Sequence, residues 1–128
     1  MKKIIHKGEL IGIKFGINKS GFVPFTEAEL PLQIGIIKAN RESLIVAPHY
    51  HKPTKRVTGG LGECLVVIKG KINIQLFNTD KKVIRNLSIK AREGFVLYSG
   101  GHALNFTKGT EAFEFKNGPF VVDRINLN

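Results

Sequence analysis

The chain has 128 residues, about the length of one domain, and is 42% hydrophobic and 23% charged, the composition of an ordinary globular chain with no long disordered arm. Twenty Lys and Arg against ten Asp and Glu give a net charge of +10. The basic residues are spread along the chain, however, and no helix-turn-helix, RNA-binding aromatic motif or basic helix accompanies them, so specific nucleic-acid binding is not expected. No charge-free apolar run approaches the ~20 residues of a membrane span, the opening MKKIIHKGEL has no apolar signal-peptide core, and the lone Cys64 has no partner for an intramolecular disulfide. A cytoplasmic location is the expectation.

Taken in chain order, His6 comes first; it has no partner in sequence and is expected to be solvated. Ile11, Ile13, Phe15 and Ile17 then alternate with Gly12, Lys14 and Gly16, the period-two pattern of a half-buried strand. Lys19-Ser20-Gly21 marks a turn. Thr26 to Leu30 is the one helical candidate, with Thr26 as cap, Glu29 three residues on and Pro31 as the stop. After residues 48–70, Ile72, Ile74 and Leu76 alternate with Lys71, Asn73 and Gln75. Turn signals recur at Thr58 to Gly62, Lys69-Gly70-Lys71, Asn78-Thr79-Asp80, Arg92-Glu93-Gly94, Gly100-Gly101, Lys108-Gly109 and Asn117-Gly118-Pro119. Short strands with a turn about every 8 to 12 residues predict an all-β sandwich or barrel. No linker, low-complexity tract or repeat divides residues 1–128, so one domain is expected.

The stretch PHYHKPTKRVTGGLGECLVVIKG, residues 48–70, carries the chemistry. On a strand, i and i+2 face the same way about 6.5 to 7 Å apart, so His49 and His51 would face together and Tyr50 away. Two imidazoles so placed can reach one metal ion at bond lengths of about 2.0 to 2.1 Å. Glu63 opens one later segment and His102 another, after Gly100 and Gly101. A carboxylate and a third imidazole from other strands would complete a three-nitrogen, one-oxygen shell with open positions. Two plainer readings stand beside it: the histidines as a structural hydrogen-bonded cluster, and Glu63 as a strand-end carboxylate paired with Lys52, Lys55 or Arg56.

These residues resemble the cupins, small jelly-roll barrels of the double-stranded β-helix type. The first cupin motif runs from HxH to a glutamate and then, after six residues, a glycine, which here reads His49-Tyr50-His51, Glu63, Gly70. The second runs from a glycine to a histidine and a nearby asparagine, here GFVLYSGGHALN from Gly94 through His102 to Asn105. The likeness spans roughly residues 43–107. HYHKPTKR and EFKNGPF are similar to segments of small single-domain cupins, some of them associated with bacterial surface-polysaccharide biosynthesis. Three departures are visible: eleven residues, Lys52 to Gly62, separate His51 from Glu63 where the family has only a few, Ser99-Gly100-Gly101 stands where a proline is usual, and Asn105 comes one residue early.

The resemblance implies one divalent transition metal, Zn, Fe, Mn, Ni or Cu, bound by His49, His51, Glu63 and His102. Such an ion would polarise a carbonyl or hydroxyl of a sugar-like substrate or bind oxygen. The lysines and arginine of KPTKR favour an anionic small molecule, such as a phosphorylated or nucleotide-linked sugar. Two other readings remain: a metal-free, sugar-ketoisomerase-like cupin in which histidines act as acid and base, and a non-catalytic ligand-binding or sensory module. Tyr98, Lys38, Arg56 and Glu114 are further candidates for the barrel mouth. The strand around Ile11 to Ile17 and the segment Phe120 to Leu127 lie outside both motifs and are expected to pair with a second copy as a homodimer.

Overall fold

The computed structural model describes residues 1–40, 43–53, 59–118 and 122–127; Lys55, Arg56 and Phe120 lie outside them. Ten strands and no helix occur among the described residues: β1 (Lys2–His6), β2 (Glu9–Gly16), β3 (Gly21–Pro24), β4 (Gly35–Lys38), β5 (Glu63–Lys69), β6 (Lys71–Phe77), β7 (Val83–Lys90), β8 (Glu93–Leu97), β9 (Gly101–Phe106) and β10 (Glu111–Lys116). None of the described residues forms a helix long and apolar enough to cross a membrane.

The strands form a five-stranded antiparallel sheet in the order β1-β2-β8-β5-β10, a three-stranded antiparallel sheet β7-β6-β9, and the hairpin β3-β4. The two larger sheets pack face to face. Ile4, Ile11, Leu65, Val67, Phe95 and Leu97 of the first meet Ile72, Ile74, Leu76 and Ile89 of the second in one apolar cluster. Burying each such side chain contributes about 1.5–3 kcal/mol, which makes this seam the main source of stability. Alternation along β6 explains three of the four side chains from the second sheet: Ile72, Ile74 and Leu76 turn inward while Lys71, Asn73 and Gln75 remain on the outer side.

The five-stranded sheet is apolar on its other face too. There Ile13, Cys64 and Val96 are buried beneath Phe15, Phe25, Leu32, Ile34 and Tyr98, so residues 25–34 act as a cover. Burial on both faces is why ECLVVIK and GFVL read as continuous apolar runs rather than alternating ones. Thr26, expected to cap a helix, closes this cover instead. Its Oγ1 accepts from Ile34 N at 2.9 Å, while Gln33 Nε2 donates to the carbonyls of Glu27 and Leu30 at 2.9 and 2.8 Å. The side chains close a loop before a second helical turn can form.

From β5 onward the chain crosses between sheets at β5–β6, β7–β8, β8–β9 and β9–β10. Gly70 makes the first crossing at φ +88°, and a Cβ there would lie 2.5 Å from Thr110 Oγ1 and 2.8 Å from Thr110 Cα; only glycine meets both demands. Among the described residues the sheets remain separate and do not close into a barrel. β2, part of the segment expected to pair with a second copy, is instead paired by β1 over Glu9–Lys14 and by β8 over Gly12–Gly16.

Candidate functional site

Glu63 and His102 are brought together from opposite sheets. Glu63 is the first residue of β5, opposite Leu97 of β8 and Lys116 of β10. Its inward direction follows from alternation with Cys64, since Leu65 and Val67, at the same parity, lie in the core. His102 is the second residue of β9, opposite Leu76, and shares its side with Leu104, which packs on the same core. The His102 Nε2 to Glu63 Oε1 distance is 3.7 Å, with side-chain exposures of 25% and 13%.

Beneath the pair lies a small cavity of about 10 Å³, completed by Leu65, Ile74, Phe95, Leu97 and Leu104. It has room for about one water at most. The two polar groups therefore sit at the rim of the inter-sheet core, over an apolar floor and partly open to solvent. Among the described residues the basic side chain nearest the Glu63 carboxylate is His102; Lys55 and Arg56, two of the three partners the sequence offered it, lie outside the described residues.

His49 and His51 form a second pair. Residues 43–53 are exposed and adopt no strand, so the facing of the two rings does not come from strand alternation. The ring centroids nevertheless lie 4.9 Å apart at 77°, edge to face, while Tyr50 projects fully into solvent. His49 Nδ1 lies 2.8 Å from Ala47 O. A carbonyl only accepts, so Nδ1 carries a proton, and the tautomer of the neutral ring that this contact selects has its lone pair on Nε2.

The four candidate residues thus appear as two pairs, and among the described residues no group of three or more His, Cys, Asp and Glu is set to hold a metal ion. Of the other mouth candidates, Tyr98 belongs to the outer face, where its hydroxyl donates to Leu32 O at 2.6 Å. Burial, together with the charge of nearby Cys64, pushes its phenol up to about 12. Lys38 ends the β3-β4 hairpin. His6, expected to be solvated, has a buried Nε2 with no hydrogen-bond partner among the described residues. Lys116, directly across from Glu63, went unnoticed in the sequence; the period-two pattern EAFEFK carried the signal, but strand pairing was needed to aim it. Comparison of the chain with family models, with curated proteins and with solved structures finds no match.

Proposed function

We propose that this chain is a small cupin-like protein of jelly-roll type that binds a divalent transition metal and, beside it, an anionic or sugar-like small molecule. The observation that carries the reading is the convergence of Glu63 Oε1 and His102 Nε2 from opposite sheets to 3.7 Å. That separation is too long for a direct hydrogen bond and suits two donors sharing a third atom between them. The donor chemistry fits: one carboxylate and imidazoles suit Zn, Fe(II), Mn, Ni or Cu. His49 and His51 are the further donors of the set, and the Ala47 carbonyl holds His49 in the tautomer a ligand needs. The repeated crossing of β5 to β10 between two sheets supports the jelly-roll relationship.

A bound ion of this kind supplies Lewis-acid polarisation of a carbonyl or hydroxyl. The chain's own residues contribute the rest. Leu65, Phe95 and Leu97 give the pair an apolar floor, and the low local dielectric strengthens charge interactions on that side. Lys116, on the same side of the sheet as Glu63, adds a cation for an anionic ligand, in keeping with the net charge of +10.

The grouping of the residues as two pairs favours a second reading, in which His102 moves a proton and Glu63 orients it, with no metal. Elemental analysis of protein purified without affinity tag or chelator separates the two. The metal reading expects near-stoichiometric metal and a melting temperature lowered by chelation. An ion at about 100 times its Kd stabilises the fold by roughly 2.7 kcal/mol. In His102→Ala and His49→Ala the chelator effect should disappear. No metal, no uptake from a panel of the five ions and identical melting with and without chelator would leave the acid–base reading in its place.

A further inference from the structure

β10 forms one edge of the five-stranded sheet. On one side it pairs with β5; among the described residues no strand occupies the other side, and all six of its residues are exposed. Asn117 N donates to Gly62 O at 3.2 Å. By strand alternation Phe113 and Phe115 also direct their backbone groups toward β5, so Ala112, Glu114 and Lys116 turn N–H and C=O groups to the other side, where no described residue pairs with them. An uncovered edge of this kind is a template for another strand.

The side chains next to that edge are apolar where solvent alone would favour polar ones. Phe113 and Phe115 are 60% and 53% exposed, with ring centroids 6.3 Å apart. Phe115 continues into a groove of about 620 Å³ on the outer face of the five-stranded sheet, where Ile68 and Ile37 are also more than half exposed. A contiguous apolar patch on an open edge marks an interaction surface.

We propose that two copies of this chain dimerise by antiparallel β10–β10 pairing about a two-fold axis through Phe115, joining the two five-stranded sheets into one. Charge selects the partner and the register. A two-fold axis normal to the sheet keeps each face on its own side, so only residues of equal parity oppose one another. With the axis at Glu114, two like carboxylates meet. With the axis at Phe113, Glu114 faces Ala112. With the axis at Phe115, Glu114 of each copy faces Lys116 of the other twice over, and the two Phe115 rings meet on the outer face beside the apolar grooves. Opposite charges directly across a strand pair stabilise it and like charges destabilise it. The C-terminal segment does not stand in the way at its far end, since Leu127 lies against Gly101 of β9.

The test uses the full chain and two single variants, each of which keeps an exposed polar side chain. Light scattering on the natural protein at 10–100 μM (about the range that a modest interface requires) should give the dimer mass. Glu114→Lys alone faces lysine with lysine, and Lys116→Glu alone faces glutamate with glutamate. Each should weaken self-association by about tenfold or more. Mixed in equal amounts the two variants restore both opposite-charge pairs, and a heterodimer should form with affinity near that of the natural dimer. Lys116→Glu also brings a carboxylate opposite Glu63, but a loss of folding from that cause would not be repaired by mixing. A monomer at 100 μM, or a dimer whose affinity ignores both variants and their mixing, overturns the proposal.

Discussion

Replacing Tyr98 by Phe removes one hydroxyl and tests how the cover over the outer sheet is held. The Tyr98 hydroxyl donates to Leu32 O at 2.6 Å, in a partly buried place; Leu32 in turn rests on Gly62, whose absent Cβ makes room for it. Without the hydroxyl the Leu32 carbonyl loses its donor, so the loss at neutral pH should be about 1–2 kcal/mol, or roughly 0.5–1 M in the urea midpoint for a chain of this size. The pH dependence carries the sharper test. Burial, and secondarily the charge of Cys64, raises the Tyr98 phenol from 10.0 to about 12. A group whose folded pKa lies above its unfolded value stabilises fully below the unfolded pKa and loses that contribution as pH climbs to the folded one. The natural protein should therefore lose stability between about pH 10 and 12 more steeply than Tyr98→Phe, and the gap between the two should narrow over that window. Repeating the comparison in a Cys64→Ala background removes the coupling between the thiolate and the phenolate. The assay is urea unfolding at pH 7, 10 and 11.5. Equal midpoints at pH 7, or a gap that stays constant with pH, would refute the anchoring role.

Three further outcomes are expected. Burial raises the Cys64 thiol from 9.0 to about 12, so the native protein should resist a thiol reagent at pH 8 and react only when unfolded; labelling at the rate of a free cysteine would contradict that placement. Gly94→Ala puts a methyl group into the Phe15 ring and 2.7 Å from Leu65 O, an overpacking worth about 1–3 kcal/mol; an unchanged urea midpoint would show that the ring and strand yield freely. Retention on a nucleic-acid column, if the charge of +10 produces any, should vanish at moderate salt because it rests on phosphate attraction alone. Salt-resistant, sequence-dependent binding would contradict the composition argument.

Local sequence settled the all-β class, because period-two alternation at Ile72, Ile74 and Leu76 admits only a strand with one buried face, and Gly70, Gly100 and Gly109 each stand at the turn their positive φ requires. It marked Glu63 and His102 by type and by their places at strand starts. Tertiary structure alone decided that they meet at 3.7 Å, since they lie in different sheets and nothing local to either strand fixes how the sheets pack. The same holds for the pairing of β2 on both sides and for the open edge of β10. Alternation tells which side chains share a face, but whether a strand is central or at an edge depends on which distant segments arrive to take up its hydrogen bonds. Thr26 makes the point at the smallest scale. Its capping pattern is a statement about three or four neighbours, and it gave way to Ile34 and Gln33, because covering the apolar outer face of a sheet buries more than one helical turn can offer.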